Sequence, residues 1–74
     1  MPRYFFHVHD SVDFPDEDGT ELADDAAAKE EAVVAAGELL KDLGGHFWNG
    51  ADWRLRVCRD DGSQLCELEF SAKV

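Results

Sequence analysis

Polar and apolar positions alternate along residues 3–9, with Tyr4, Phe6 and Val8 on one side of a strand and Phe5, His7 and His9 on the other. Aromatic and β-branched side chains suit a pleated, half-buried surface, so this segment predicts an opening strand. Residues 10–19 mix Ser, Pro, Gly and acids without a period and read as a loop. Thr20 to Leu22 fit a short second strand, although so few residues do not define one.

From residue 24 the period becomes that of a helix. Ala28, Ala32, Ala35, Ala36, Leu39, Leu40 and Leu43 recur at spacings of three and four, which gathers them on one stripe. Asp24 is the expected N-cap, because its carboxylate can accept from the unpaired amides of the first turn. Asp25 just inside suits the positive end of the helix dipole. Gly44-Gly45 marks the stop, where a left-handed residue carries no Cβ penalty. Alanines lead the stripe and leucines end it, so the helix should lie closest to its sheet at the N-terminal end. Glu30, Glu31, Glu38 and Lys41 fall on the outer side, where Val34 is the residue that asks for a partner. Phe47 and Trp48 follow between glycines and predict a cover over one end of the sheet.

The last segment carries a hairpin signal. Asp61-Gly62 suits a two-residue type I′ turn. Closing strands on it pairs Trp53 with Phe70, Leu55 with Leu68 and Val57 with Cys66 on one face. The other face pairs Arg54 with Glu69, Arg56 with Glu67 and Cys58 with Leu65. A slip by one residue destroys both ladders, so the register is strongly specified. Cys58 and Cys66 then point to opposite faces and do not form a disulfide with each other.

The pattern is strand, acidic loop, helix and β-hairpin. It predicts a single α+β domain over residues 1–74, in which one helix packs on one face of a three- or four-stranded sheet. With the first hairpin strand beside the opening strand, the helix makes a right-handed parallel crossover. The uncovered face then holds Phe5, His7, His9, Arg54, Arg56, Cys58, Leu65, Glu67 and Glu69. Phe5 and Leu65 on that face, with Val34 on the helix, are the candidate interaction residues for a homodimer, since a domain this small gains from extra burial.

Charge narrows the partners. The 74 residues carry a formal net charge of -10, and residues 10–25 hold eight carboxylates without a Lys, Arg or His. That favours a basic protein partner and disfavours nucleic acid and anionic membranes. Arg54, Arg56 and Arg59 cluster, but the first two face glutamates across the hairpin and are expected to be neutralised there. No apolar run reaches signal-peptide or membrane-spanning length, so with two cysteines a reduced, cytoplasmic protein is the expectation.

Two constellations suggest metal chemistry. His7 and His9 lie two apart on one strand face and could share a transition metal, with Asp10 or His46 as third ligand. Asp16, Asp18 and Gly19 imitate the middle of a calcium loop, with Asp25 at its final acid position, but Phe14 occupies the first ligand position. Neither cysteine has a base at a recognisable spacing, and no serine motif or glycine-rich phosphate loop is present. The expectation is a protein without catalytic activity and without a cofactor.

The opening Met1-Pro2-Arg3-Tyr4-Phe5-Phe6, the block from Asp16 to Leu22 and the Ala-rich stretch from Asp24 to Ala32 resemble a family of short, uncharacterised bacterial proteins, common in rhizobia and relatives. That family is labelled a domain of unknown function, and the terminal strand-D-x-G-strand hairpin fits it too. The resemblance spans nearly the whole chain and implies no activity or site. A looser likeness, to the antitoxin half of toxin–antitoxin pairs, rests on the strand, acidic segment and Ala/Glu-rich helix alone. The leading expectation is a small, non-catalytic, self-associating interaction module. The alternatives are a metal-binding or regulatory domain, or an acidic antitoxin-like or phosphate-mimicking protein.

Overall fold

The computed structural model describes residues 2–10, 12–49 and 52–72. In chain order the elements are β1 (Arg3–Asp10), β2 (Val12–Phe14), β3 (Thr20–Glu21), α1 (Asp25–Leu43), a 3-10 segment (Gly44–Asn49), β4 (Trp53–Arg59) and β5 (Gln64–Phe70). The fold is α+β, with one helix on one face of an antiparallel sheet of five strands ordered β2-β1-β4-β5, and with β3 also paired to β1.

Strand count and direction differ from expectation for one reason. The acidic segment contains β2, which turns back on β1 with Val8 opposite Phe14, and β3 continues that return leg with Tyr4 opposite Thr20. The chain therefore enters the helix at the end of the sheet where β1 began. β4 consequently runs antiparallel to β1, from Trp53 opposite Asp10 to Arg59 opposite Tyr4, and not parallel to it. The parallel pair joined through the helix is β3 and β4, with β1 between them.

The helix begins and ends as its sequence dictates. Asp24 caps it, accepting from the Ala27 amide at 2.8 Å. Gly44 closes it at φ 53°, its N–H donating to the Leu40 carbonyl. Ala28, Ala32 and Ala36 are fully buried against Tyr4, Trp53, Leu55 and Val57. Small side chains let the helix axis approach the sheet there, whereas Leu40 and Leu43 are half-buried and Leu39 is exposed. Each buried large side chain contributes roughly 1.5–3 kcal/mol of transfer free energy. Val34 is 49% exposed on the outer side, and Val33 beside it is more exposed still. Phe47 packs against the core but Trp48 does not, being 60% exposed. No helix is long and apolar enough to cross a membrane among the described residues.

The hairpin keeps its expected register from Trp53–Phe70 to Val57–Cys66 but changes near the turn. The Arg59 carbonyl accepts from Gly62 at 2.9 Å and the Arg59 amide donates to the Ser63 carbonyl at 2.8 Å. This is a three-residue loop of Asp60, Asp61 and Gly62, with Gly62 at φ 90°, in place of the two-residue turn. The loop shifts the pairing by one, so Cys58 stands opposite Gln64 and not Leu65. Leu65 is the extra residue of a bulge that restores the register. It is half-buried and packs against the core cluster, so it is not the far-face apolar spot that a regular ladder predicts.

Candidate functional site

Across the helix-free face, the pairings of β1 with β4 and of β4 with β5 line residues up in rows. His7, Arg56 and Glu67 form one row, and His9, Arg54 and Glu69 form the next. Phe5, Cys58 and Gln64 form a third, with the Phe5 and His7 rings stacked at 6.4 Å. A cleft of about 400 Å³ lies over the first two rows, bordered by Asp13 and Pro15 of the return leg. These rows place His7, His9 and Phe5 together, as the strand alternation predicts. The β1–β4 register, which sets each histidine beside an arginine, carries no signal in local sequence.

The arginines face the glutamates in register without closing on them, and the Arg54 charge still draws the Glu69 carboxyl down in part. Their pairing is correct in register, yet among the described residues no ion pair within 4.0 Å joins either arginine to Glu67 or Glu69. Arg54 reaches Asp52 at 3.7 Å on the surface, and its Nε is enclosed without a hydrogen-bond partner. The glutamates are close to each other instead. A hydrogen bond to Glu67 and the charge of Glu67 push the Glu69 carboxyl above the usual carboxylate range.

The two histidines have different duties. His9 Nδ1 lies 2.6 Å from Asp13 Oδ1, and this hydrogen bond holds the Asp13 carboxyl below its ordinary value. His7 Nδ1 accepts from the Asp16 amide at 3.0 Å, so its other nitrogen carries the proton of the neutral ring. A metal ligand needs a free lone pair, which His7 supplies only by releasing the loop. His46 is exposed in the 3-10 segment. Among the described residues, no group of three or more His, Cys, Asp or Glu side chains is arranged to hold a metal ion.

Asp16 organises the acidic segment. Its Oδ1 accepts from the Asp18 and Gly19 amides at 3.2 and 3.1 Å, and its Oδ2 accepts from the Phe6 amide of β1 at 3.1 Å. Burial pushes this carboxyl up, but the three amides outweigh it and the net displacement is downward. Gly19 sits at φ 75°, and a Cβ there would lie 2.8 Å from the Arg3 side chain and 2.9 Å from Phe5. Arg3 in turn donates to the Asp18 carbonyl at 2.7 Å and pairs with Glu21 at 3.2 Å. The imitation of a calcium loop is thus a turn closed on its own backbone, with Asp16 at its centre.

A second cluster joins three distant segments. Buried Tyr4 donates its hydroxyl to Asp25 Oδ1 at 2.8 Å, and Arg59 donates to Asp25 Oδ2 at 2.8 Å. Burial, followed by the bond to Asp25, raises the Tyr4 phenol. The bonds from Arg59 and then Tyr4 lower the Asp25 carboxyl. This cluster latches the helix start to β1 and β4. The sequence offers Asp25 to the helix dipole or to the calcium-like loop and not to this latch, because Tyr4 and Arg59 lie far from it along the chain.

Cys58 and Cys66 are both free, and burial raises the Cys66 thiol. In comparisons with known proteins, the family model for a domain of unknown function (DUF6894) matches residues 3–71. No curated protein and no solved structure matches the chain.

Proposed function

The chain belongs to the DUF6894 family, and from that premise we propose that it is a small non-catalytic interaction module that works through the helix-free face of its sheet. The observation that carries this reading is the state of Arg54 and Arg56. Guanidinium groups are rich in directed donors, and here they sit beside two histidines with no close carboxylate from the opposing strand. Two other clusters are bonded internally or to backbone: Tyr4, Asp25 and Arg59 in the latch, and His7 and Asp16 in the loop. Such groups stabilise the fold, whereas Arg54 and Arg56 keep donors free for recognition.

Self-association is a second mode, favoured by a different observation. Val12, Phe14, Val33, Val34, Leu39 and Trp48 are large apolar side chains left exposed on a chain of 74 residues. Phe14 and Leu39 border an apolar cleft of about 400 Å³ closed by Leu43 and Trp53. The compartment that fits two free cysteines is the cytoplasm.

Site-specific photo-crosslinking in the native host tests the main reading. A photoreactive residue replaces Arg56 in one strain and Glu38, on the helix's outer side, in another. Defined protein adducts from position 56 and not from position 38 support the proposal, and their mass separates a second copy from a different protein. Adducts from position 38 alone, or from neither, overturn it.

A further inference from the structure

β5 ends the sheet, and among the described residues no strand lies beyond it. It is 7 residues long, contains no proline or lysine, and its irregularity is confined to the turn end. An edge of that length and regularity is a template for another strand, and native proteins commonly blunt such edges with bulges, prolines or inward charges. Here the outermost column presents exposed Glu67 and Glu69 on the helix-free side, and half-buried Cys66, Leu68 and Phe70 on the helix side.

We propose that β5 accepts an added strand from a partner protein, one with basic residues at alternate positions opposite Glu67 and Glu69 and apolar residues between them beside Leu68 and Phe70. Main-chain hydrogen bonds supply the affinity in this mode and alternate side chains the specificity. The inference rests on the interaction-module reading and names the chemistry of its partner. The two carboxylates repel each other, and the arginines opposite them in register form no ion pair with them within 4.0 Å, so charge is left on the open edge for a basic strand to meet. A second copy is a poor occupant. Antiparallel pairing of two β5 edges centred on Glu67 or Leu68 sets Glu67 against Glu67 or Glu69, between chains each of net charge -10.

The test titrates the isotopically labelled full chain with a synthetic peptide of alternating lysine and valine, followed by amide shifts and hydrogen exchange. One control peptide replaces lysine with glutamate. Another carries N-methyl groups on the backbone amides that would face β5. The expected result is binding of the lysine peptide with changes centred on residues 66–70, and no binding of the glutamate peptide. N-methylation should weaken binding on the order of tenfold or more, the effect of losing two or three main-chain bonds. The double variant Glu67→Lys/Glu69→Lys should reverse the charge preference. Equal binding of the N-methylated peptide, or changes mapping to the cleft over Arg54 and Arg56, overturns edge pairing and leaves the interaction-module reading intact. Protection of the β5 amides in a dimer of the protein alone overturns it in favour of a second copy. Absence of any peptide binding overturns it as well, and absence of cross-links at position 56 would then remove both.

Discussion

Replacing Asp16 with alanine removes one carboxylate and strands three amides: Phe6 in β1, and Asp18 and Gly19 in the turn. Hydrogen bonds to a charged acceptor contribute roughly 1.5–3 kcal/mol each. Three bonds to one carboxylate do not add in full, and water can reach the turn amides once the side chain is gone. The part-buried Phe6 amide is the costly member. We expect a loss of about 2–4 kcal/mol, against a total of roughly 4–11 kcal/mol for a domain of this length at 0.05–0.15 kcal/mol per residue. The thermal midpoint should fall by roughly 8–32 °C, at about 4–8 °C per kcal/mol.

The same carboxylate sets a pH signature. Its folded-state pKa is depressed, so its contribution is complete above the ordinary carboxylate value and is lost as pH falls through the lowered one. Denaturant melts of wild type and Asp16→Ala should therefore differ by a constant amount at neutral pH and converge in acid. Asp16→Asn should fall between them, because its amide oxygen still serves one side while its NH₂ opposes another N–H. Hydrogen exchange should show lost protection at Phe6 and Gly19. A variant within about 0.5 kcal/mol of wild type, the range of an ordinary surface change, refutes the reasoning.

Other outcomes follow from the latch, the turn and the histidines. The chain has one tyrosine, so an absorbance titration reads Tyr4 directly; its midpoint should lie above the ordinary phenol value, and Asp25→Asn should bring it down. The raised phenol favours the fold below the ordinary value and loses that effect as pH climbs through the higher one, whereas lowered Asp25 loses its contribution as pH falls. Gly19→Ala combines a positive φ with contacts that a Cβ cannot keep and should cost about 1–3 kcal/mol by chemical melts. Zn²⁺ added to tag-free protein should leave the melting midpoint unchanged while His7 is engaged by the loop; a rise of several degrees would establish metal binding to the native state.

The hairpin was legible because its information is redundant: apolar pairs and opposite charges demand the same register from Trp53 to Cys66. The turn was not, since a glycine after Asp60 and Asp61 serves a two-residue or a three-residue loop equally. Only the pairing shows that Leu65 absorbs the extra residue. Helix limits followed from Asp24 and Gly44, whose capping roles are local. The β1–β4 register, the Tyr4–Asp25–Arg59 latch and the binding of Asp16 to the Phe6 amide depend on segments brought together by the return leg. Backbone amides carry no side-chain signature, so an acid that binds them looks like any other acid in a sequence.

That invisibility changes where electrostatic recognition should be sought. The run of eight carboxylates suggested the acidic segment as the surface for a basic partner. Asp13 binds His9, Asp16 closes the turn, Glu21 pairs with Arg3, Asp24 caps the helix and Asp25 anchors the latch. Of the eight carboxylates in that run, Asp10, Glu17 and Asp18 have side chains outside such a bond among the described residues. Glu67 and Glu69, two acids in an unremarked stretch of alternating strand, stand side by side at an open edge without an ion pair across the strand. Density of acids along the chain measures local charge, whereas recognition depends on which acids the fold leaves unpaired. What sets β5 apart from the three free acids of the segment is the open main-chain edge that Glu67 and Glu69 flank, and that edge is why the proposal places a basic strand there.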